Sequence, residues 1–180
     1  MLAAAARDPK ALAIGLDPVA AAMAEASRRA ARATDNGGLP NALFVVASAE
    51  SVPAELHGVA TFVTVRFPWA SLLRGCLGAD ARVARGVASL VARGGTLELL
   101  LAPAGRDRLD GLPTDAVAIV AAARVTFEGL GLVLLEGREA SADEVRSSGS
   151  TWAKRLLGGN GLTAAAGMGR RVVLVRLRSP

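Results

Sequence analysis

The sequence predicts an α/β fold of one domain, residues 1–180, and three observations carry that prediction. Lys10 to Leu16 is a short apolar run without alternation, the pattern of a strand buried on both faces in a parallel sheet. Helical stretches with caps and turns separate it from later strands, so the two element types alternate along the chain. The β-branched run Val63-Thr64-Val65 stops at Pro68 and passes at once to Trp69 and a helix. Open α/β sheets present their chemistry at the carboxyl ends of strands, so Trp69 is expected at the mouth of a ligand crevice.

Residues 2–7 read as the last turns of a helix ended by Asp8-Pro9, because the residue before a proline is pushed out of the helical region. The first strand ends in Gly15-Leu16-Asp17. An acidic residue at such a tip suits the two hydroxyls of a ribose; Asp17-Pro18 equally suits a helix cap with Pro18 at the first position, and the two roles are compatible. The helix is expected from Pro18 to about Thr34, with Val19, Met23, Ala26 and Ala30 on one face. Arg28, Arg29 and Arg32 fall towards its end, where cations suit the dipole; they are candidates for RNA phosphate and equally suit a solvated helix terminus.

Asp35-Asn36-Gly37-Gly38 is a turn, Ala42 to Ala47 a strand, and Ser48-Ala49-Glu50 the loop at its end. His57 has no Cys, His or acidic partner at ligand spacing, so no metal site is expected. Val59 to Val65 forms the next strand, and Leu72, Leu73 and Leu77 belong to a short helix. Asp80 is expected to cap a longer helix running to Ala92 and closed by Gly94-Gly95. A strand at Thr96 to Leu101 leads to the basic loop Pro103-Ala104-Gly105-Arg106-Asp107-Arg108, and Thr114 starts a helix reaching about Phe127. Leu130 to Leu135 begins a strand, Ser141-Ala142-Asp143-Glu144 reads as a capped helix start, and 147–151 is a linker delivering Trp152. Arg171 to Arg178 closes the sheet.

Hydrophobic residues make up 52% of the chain and aromatics only 3%, so the core is built from Ala, Val and Leu, and each tryptophan asks for its own reason. Neither Trp69 nor Trp152 sits on an apolar periodic face, although core packing is the usual fate of a tryptophan. The net charge of +5 comes almost wholly from arginine, whose planar fork matches phosphate, which makes nucleic acid the natural partner. The single cysteine, Cys76, excludes an internal disulfide and fits a reducing cytoplasm. No apolar run approaches the roughly 20 residues of a membrane span, and the opening residues lack a signal pattern. A soluble, intracellular monomer is expected.

The segment Phe67-Pro68-Trp69-Ala70-Ser71-Leu72-Leu73-Arg74-Gly75 resembles the Pro-Trp-Gly-Ser-Leu-Leu-Arg-Gly stretch of the S-adenosylmethionine-dependent 16S rRNA methyltransferases that methylate N1 of adenine 1408 and confer aminoglycoside resistance. Gly37-Gly38-Leu39-Pro40-Asn41, Ala47-Ser48-Ala49-Glu50-Ser51-Val52-Pro53 and Ser150-Thr151-Trp152-Ala153-Lys154-Arg155-Leu156 agree in the same order. The resemblance implies a Rossmann-like class I methyltransferase sheet. It implies S-adenosyl-L-methionine as cofactor, contacted by Asp17, Ala49, Glu50, Phe67, Ser71 and Ser150. It implies 16S rRNA in the 30S subunit as partner, with Trp69 and Trp152 stacking on a flipped adenine. Arg155, and with it Lys154, would grip phosphate nearby, and Arg28, Arg29 and Arg32 stay candidates for RNA phosphate beside the solvated-terminus reading. Aromatic stacking contributes about 1 to 3 kcal/mol per base, enough to offset unstacking.

Two departures qualify the resemblance. Family members open with a strand and a loop of the type Asp-x-Gly-x-Gly-x-Gly, whereas the first residues here correspond to the helix after that loop. The expected sheet is therefore truncated at its N-terminal side and lacks a central strand, which points either to a misassigned start or to a decayed homologue. Asn160 stands where relatives carry an arginine. Two other readings stay open: a non-catalytic RNA-binding remnant, and a methyltransferase of similar fold acting on a small molecule.

Overall fold

The computed structural model describes residues 1–102, 111–150 and 171–180. They form two compact units, Met1–Ser51 and Val52–Pro180. In the first unit, helix α1 (Leu2–Arg7) precedes strand β1 (Ala13–Asp17), helix α2 (Ala20–Ala30) and strand β2 (Ala42–Val46). β1 and β2 pair in parallel, with Ala13 opposite Ala42 and Asp17 opposite Val46.

Helix α2 is shorter than its sequence suggests at both ends. Val19 rather than Asp17 is the N-cap, Pro18 lies outside the helix, and the helix stops at Ala30 before a separate short turn at Thr34–Asn36. The physical reason is at the start a bond from the Val19 N–H to the Asp17 carboxylate, 2.7 Å, which holds the chain extended there. At the end the Leu39 N–H donates to the Ala30 carbonyl and draws the chain back towards β2. Met23 and Ala30 are buried as the helical face requires, but Val19 is exposed because it lies outside the helix.

Asn41 ties this unit together. Its Nδ2 donates to the carbonyls of Ala5, Asp8 and Ala11 at 3.0, 3.1 and 2.8 Å, collecting the end of α1 and the approach to β1 around one amide. Residues leaving a helix at Asp8-Pro9 have carbonyls without intrahelical donors, and Asn41 supplies them.

The second unit is a four-stranded mixed sheet in the order β3-β4-β6-β5, with β3 (Ala60–Arg66), β4 (Val91–Leu101), β5 (Val133–Glu139) and β6 (Val173–Arg178). β3 runs parallel to β4; β6 runs antiparallel to both β4 and β5. Leu97, Leu99 and Leu101 of β4 and Val173, Val175 and Leu177 of β6 are fully buried on one face. Helix α5 (Ala116–Glu128) contributes Ile119, Ala123 and Phe127, spaced by one turn each, to the core, and burial of each large apolar side chain contributes about 1.5 to 3 kcal/mol. α5 lies close because Gly137 of β5 has no Cβ: one placed there would meet Val120 at 2.4 Å.

Helices α3 (Ala70–Cys76) and α4 (Ala81–Ser89) connect β3 to β4. Asp80 caps α4 as expected, accepting from the N–H groups of Arg82 and Val83, but the helix ends at Ser89 rather than Ala92. Gly94-Gly95 does not close it. Val91 already pairs with Ala60, and Thr96 with Phe62, so the residues between them form a bulge inside β4. Gly94 takes φ +72°, and a Cβ on Gly95 would meet the carbonyl oxygens of Ala92 and Ala60 below 3.0 Å. Two glycines in sequence are needed for that bulge, and a helix stop would use only one.

On the other face of the sheet a ladder of charges runs from strand to strand. Arg176 of β6 pairs with Glu98 of β4 and Glu136 of β5, both at 2.9 Å. Arg138 of β5 bonds Glu136 at 2.7 Å and holds both carboxylate oxygens of Glu144, at 2.8 and 2.7 Å. Glu144 belongs to helix α6 (Ala142–Ser147), where it forms a capping box with Ser141. β3 is an edge strand of its sheet, and so is each strand of the β1–β2 pair. Phe62 on β3 is 55% exposed.

Two outcomes follow from these contacts. Asn41→Ala leaves three carbonyls to solvent and should lower the stability of the first unit by about 1 to 3 kcal/mol, read from amide exchange in β1. The Arg138 guanidinium holds the Glu144 carboxyl at about 2, below its ordinary 4.5. A depressed carboxylate stabilises the fold above its unfolded value and loses that contribution as pH falls through its folded value. Acid should therefore loosen α6 between about pH 4.5 and pH 2; Glu144→Gln should flatten that profile in thermal melts across the window.

Candidate cofactor and base site

The carboxyl end of the β1–β2 pair carries the first group of candidate residues. Asp17 ends β1, and its carbonyl accepts from the Ala47 N–H at 3.2 Å, which brings the loop Ser48-Ala49-Glu50 beside it. The loop is a tight turn, with the Ser51 N–H bonded to the Ser48 carbonyl at 3.1 Å. Asp17 has one carboxylate oxygen on the Val19 N–H, and the other has no partner among the described residues. Asp17 thus holds Val19 extended ahead of α2 without capping the helix, and keeps an acceptor for a hydroxyl. A free carboxylate acceptor at a strand tip fits a ribose hydroxyl of a nucleotide-like cofactor.

The carboxyl end of β3 carries the second group. The Phe67 N–H still bonds the Leu100 carbonyl, at 2.8 Å, so the chain leaves the sheet one residue beyond Arg66. It leaves through two left-handed residues, Phe67 at φ +50° and Ala70 at φ +49°, the only described residues other than glycine with positive φ. Between them Pro68 is buried, while Trp69 is extended and caps α3. Trp69 is 81% exposed. An indole left in water has a large apolar face without contacts, and two strained backbone positions hold it there. Ser71 follows, exposed, on the first turn of α3.

Ser150 is brought towards the same strand end through its neighbour. Arg66 Nη1 donates to the Ser148 carbonyl at 2.6 Å, and the Ser150 N–H is 3.4 Å from Ser148 Oγ. Trp152, Lys154, Arg155 and Asn160 lie outside the described residues. In the first unit, Arg28 is paired with Glu25 at 3.0 Å in an exposed contact, while the guanidinium groups of Arg29 and Arg32 form no ion pair among the described residues. Among the described residues no group of three His, Cys, Asp or Glu side chains could hold a metal ion, and no helix is long and apolar enough to cross a membrane.

Sequence reasoning overlooked Asn41 and Arg66 as ties between distant segments. A signal existed for both: Asn41 ends the Gly-Gly-Leu-Pro-Asn block, and Arg66 is the charged residue of its strand, at its end just before Phe67-Pro68-Trp69.

The family model NpmA, 16S rRNA (adenine(1408)-N(1))-methyltransferase, matches residues 1–168. The chain belongs to this family. A 16S rRNA (adenine(1408)-N(1))-methyltransferase from Streptoalloteichus tenebrarius is 31% identical over 158 residues, covering 83% of this chain and 71% of the relative. The crystal structure of a single-residue mutant of the 16S rRNA (adenine(1408)-N(1))-methyltransferase from Catenulisporales acidiphilia, with cosubstrate SAM, is 29% identical and superposes with a TM-score of 0.81, covering 99% of this chain and 79% of that one. The aminoglycoside resistance methyltransferase NpmB1 is 30% identical, with a TM-score of 0.71 and coverage of 99% and 81%. The fold is accordingly that of the S-adenosylmethionine-dependent methyltransferases, and S-adenosylmethionine is the cofactor.

Ala70 holds a left-handed φ, where a side chain costs roughly 1 to 2 kcal/mol. Ala70→Gly should remove that strain, less the roughly 0.5 to 1 kcal/mol by which glycine loosens the unfolded chain. A net gain of about 0.5 to 1 kcal/mol is expected, seen as a rise of a few degrees in the melting temperature; a fall in stability would show that Ala70 is not strained.

Proposed function

We propose that this chain transfers a methyl group from S-adenosylmethionine to N1 of adenine 1408 in the 16S rRNA of assembled 30S subunits, giving aminoglycoside resistance. It acts as a cytoplasmic monomer, with residues 1–180 as one methyltransferase domain. The observation that carries this reading is Trp69: a tryptophan 81% exposed at the carboxyl end of β3, on a backbone strained at both sides.

An adenine inside folded RNA presents N1 only after leaving its stack, and an exposed aromatic face accepts it. Trp69 provides one such face, and Trp152 is assigned the other. Arg155 and Lys154 take the neighbouring phosphates, with Arg28, Arg29 and Arg32 as an outlying basic group. Asp17 accepts from the cofactor ribose, Ala49 and Glu50 flank its adenine, and Phe67, Ser71 and Ser150 line the space for the methyl donor. The cofactor supplies an electrophilic methyl group on a sulfonium with a neutral leaving group, so alignment is what the chain's residues must provide. No carboxylate needs to act as acid or base.

Trp69→Ala should reduce methylation of 30S subunits by about 10 to 100-fold, the loss of one stacking contact of about 1 to 3 kcal/mol, while S-adenosylmethionine affinity by calorimetry stays within a few-fold of wild type. Full methylation by Trp69→Ala would overturn the stacking role. Wild-type chain that binds subunits without transferring methyl would identify the non-catalytic RNA-binding remnant instead.

A further inference from the structure

Arg66 is the last residue of β3, immediately before Phe67-Pro68-Trp69. Its guanidinium reaches a backbone carbonyl 82 positions further along the chain, that of Ser148, at 2.6 Å. Among the described residues it forms no ion pair, although the neighbouring strands carry a continuous ladder of glutamates and arginines. Its charge is directed to a neutral oxygen at the C-cap of α6, where a cation meets carbonyls left without intrahelical donors. Such a charge-assisted bond is stronger than an amide bond and has a fixed direction, since the guanidinium is planar.

The acceptor is itself locked. Ser148 is the buried polar residue of the described chain, 6% exposed, and its Oγ donates to the Val145 carbonyl at 2.6 Å. The same Oγ faces the Ser150 N–H, and between them Gly149 turns the chain at φ +66° with its N–H on the Arg146 carbonyl. From Arg66 the bonds therefore run through Ser148 to Ser150 without a freely rotating link.

We propose that Arg66 is a positioning residue for methyl transfer: by holding the Ser148 carbonyl it fixes Ser150 relative to the strand end that carries Trp69. The inference rests on the function proposed above and adds a residue that contacts neither cofactor nor base. A bond that served stability alone would have no reason to join these two segments in particular.

The test uses Arg66→Ala and Arg66→Lys in the full chain. In Arg66→Ala the amides of Gly149 and Ser150 should exchange with solvent about tenfold faster, the effect of losing one charge-assisted bond, while those of β4 and α5 keep their wild-type rates. Arg66→Lys, which retains a single-point donor, should recover part of that protection. With 30S subunits and S-adenosylmethionine, kcat of Arg66→Ala should fall about tenfold with KM for subunits within about twofold, and Arg66→Lys should recover part of kcat. Unchanged exchange at Gly149 and Ser150, an equal rise across the whole second unit, or altered exchange with unchanged kcat would each overturn the proposal. Exchange as expected in a wild-type chain that does not methylate would sink the proposed function and leave Arg66 as the tie that fixes Ser150.

Discussion

The pairing of β4 with both of its neighbours is the constraint on which the second unit depends. β4 has β3 on one side in parallel and β6 on the other in antiparallel, and its last residues, Leu99, Leu100 and Leu101, are buried on both faces. Its backbone sets where β3 must end. The Leu100 carbonyl holds the Phe67 N–H, so the chain cannot turn before Phe67 and must then turn sharply. The left-handed conformations of Phe67 and Ala70, and with them the exposed ring of Trp69, follow from a hydrogen bond inside the sheet.

The two faces of that sheet are stabilised by different forces. One is apolar, with α5 pressed against Gly137 so that Ile119, Ala123 and Phe127 reach the strands. The other is lined by Glu98, Arg176, Glu136, Arg138 and Glu144, each bonded to the next. Exposed ion pairs contribute little singly, but a chain of them in register specifies which strands are neighbours, because a one-residue slip would set Glu98 and Glu136 opposite Val175 or Leu177 and break the pairs. The ladder ends in the capping box of α6, so the charges also fix the helix from which Ser148 and Ser150 leave.

Most of the strands and caps were legible in the sequence, because each has a local cause. Asp80 and Ser141 cap their helices by bonds to N–H groups two or three residues on, and a short window of sequence contains the whole interaction; α5, expected to start at Thr114, is capped one residue later by Asp115. The errors fell where a distant partner decides. Gly94-Gly95 looks like a helix stop until β3 is placed beside it, and then the same pair is a bulge. Of the candidate site, the exposure of Trp69 could be expected from its surroundings, and the joining of Asp17 to the 47–50 loop from the parallel pair. Asn41 and Arg66 stood out in their segments, but what they bond could not be read, because their acceptors are backbone carbonyls, and a carbonyl leaves no mark on the sequence.

Cys76, the chain's single thiol, lies fully buried at the end of α3, against the interface that Gly75 opens for Val83 of α4. Burial pushes its thiol up to about 12, so at neutral pH it is protonated as well as unreachable. Oxidants and alkylating reagents meet it only when the packing around the end of α3 opens. Since α3 begins at Trp69, the rate at which Cys76 becomes labelled is a clock for the opening of the helix beneath the exposed indole, readable without adding any probe to the protein.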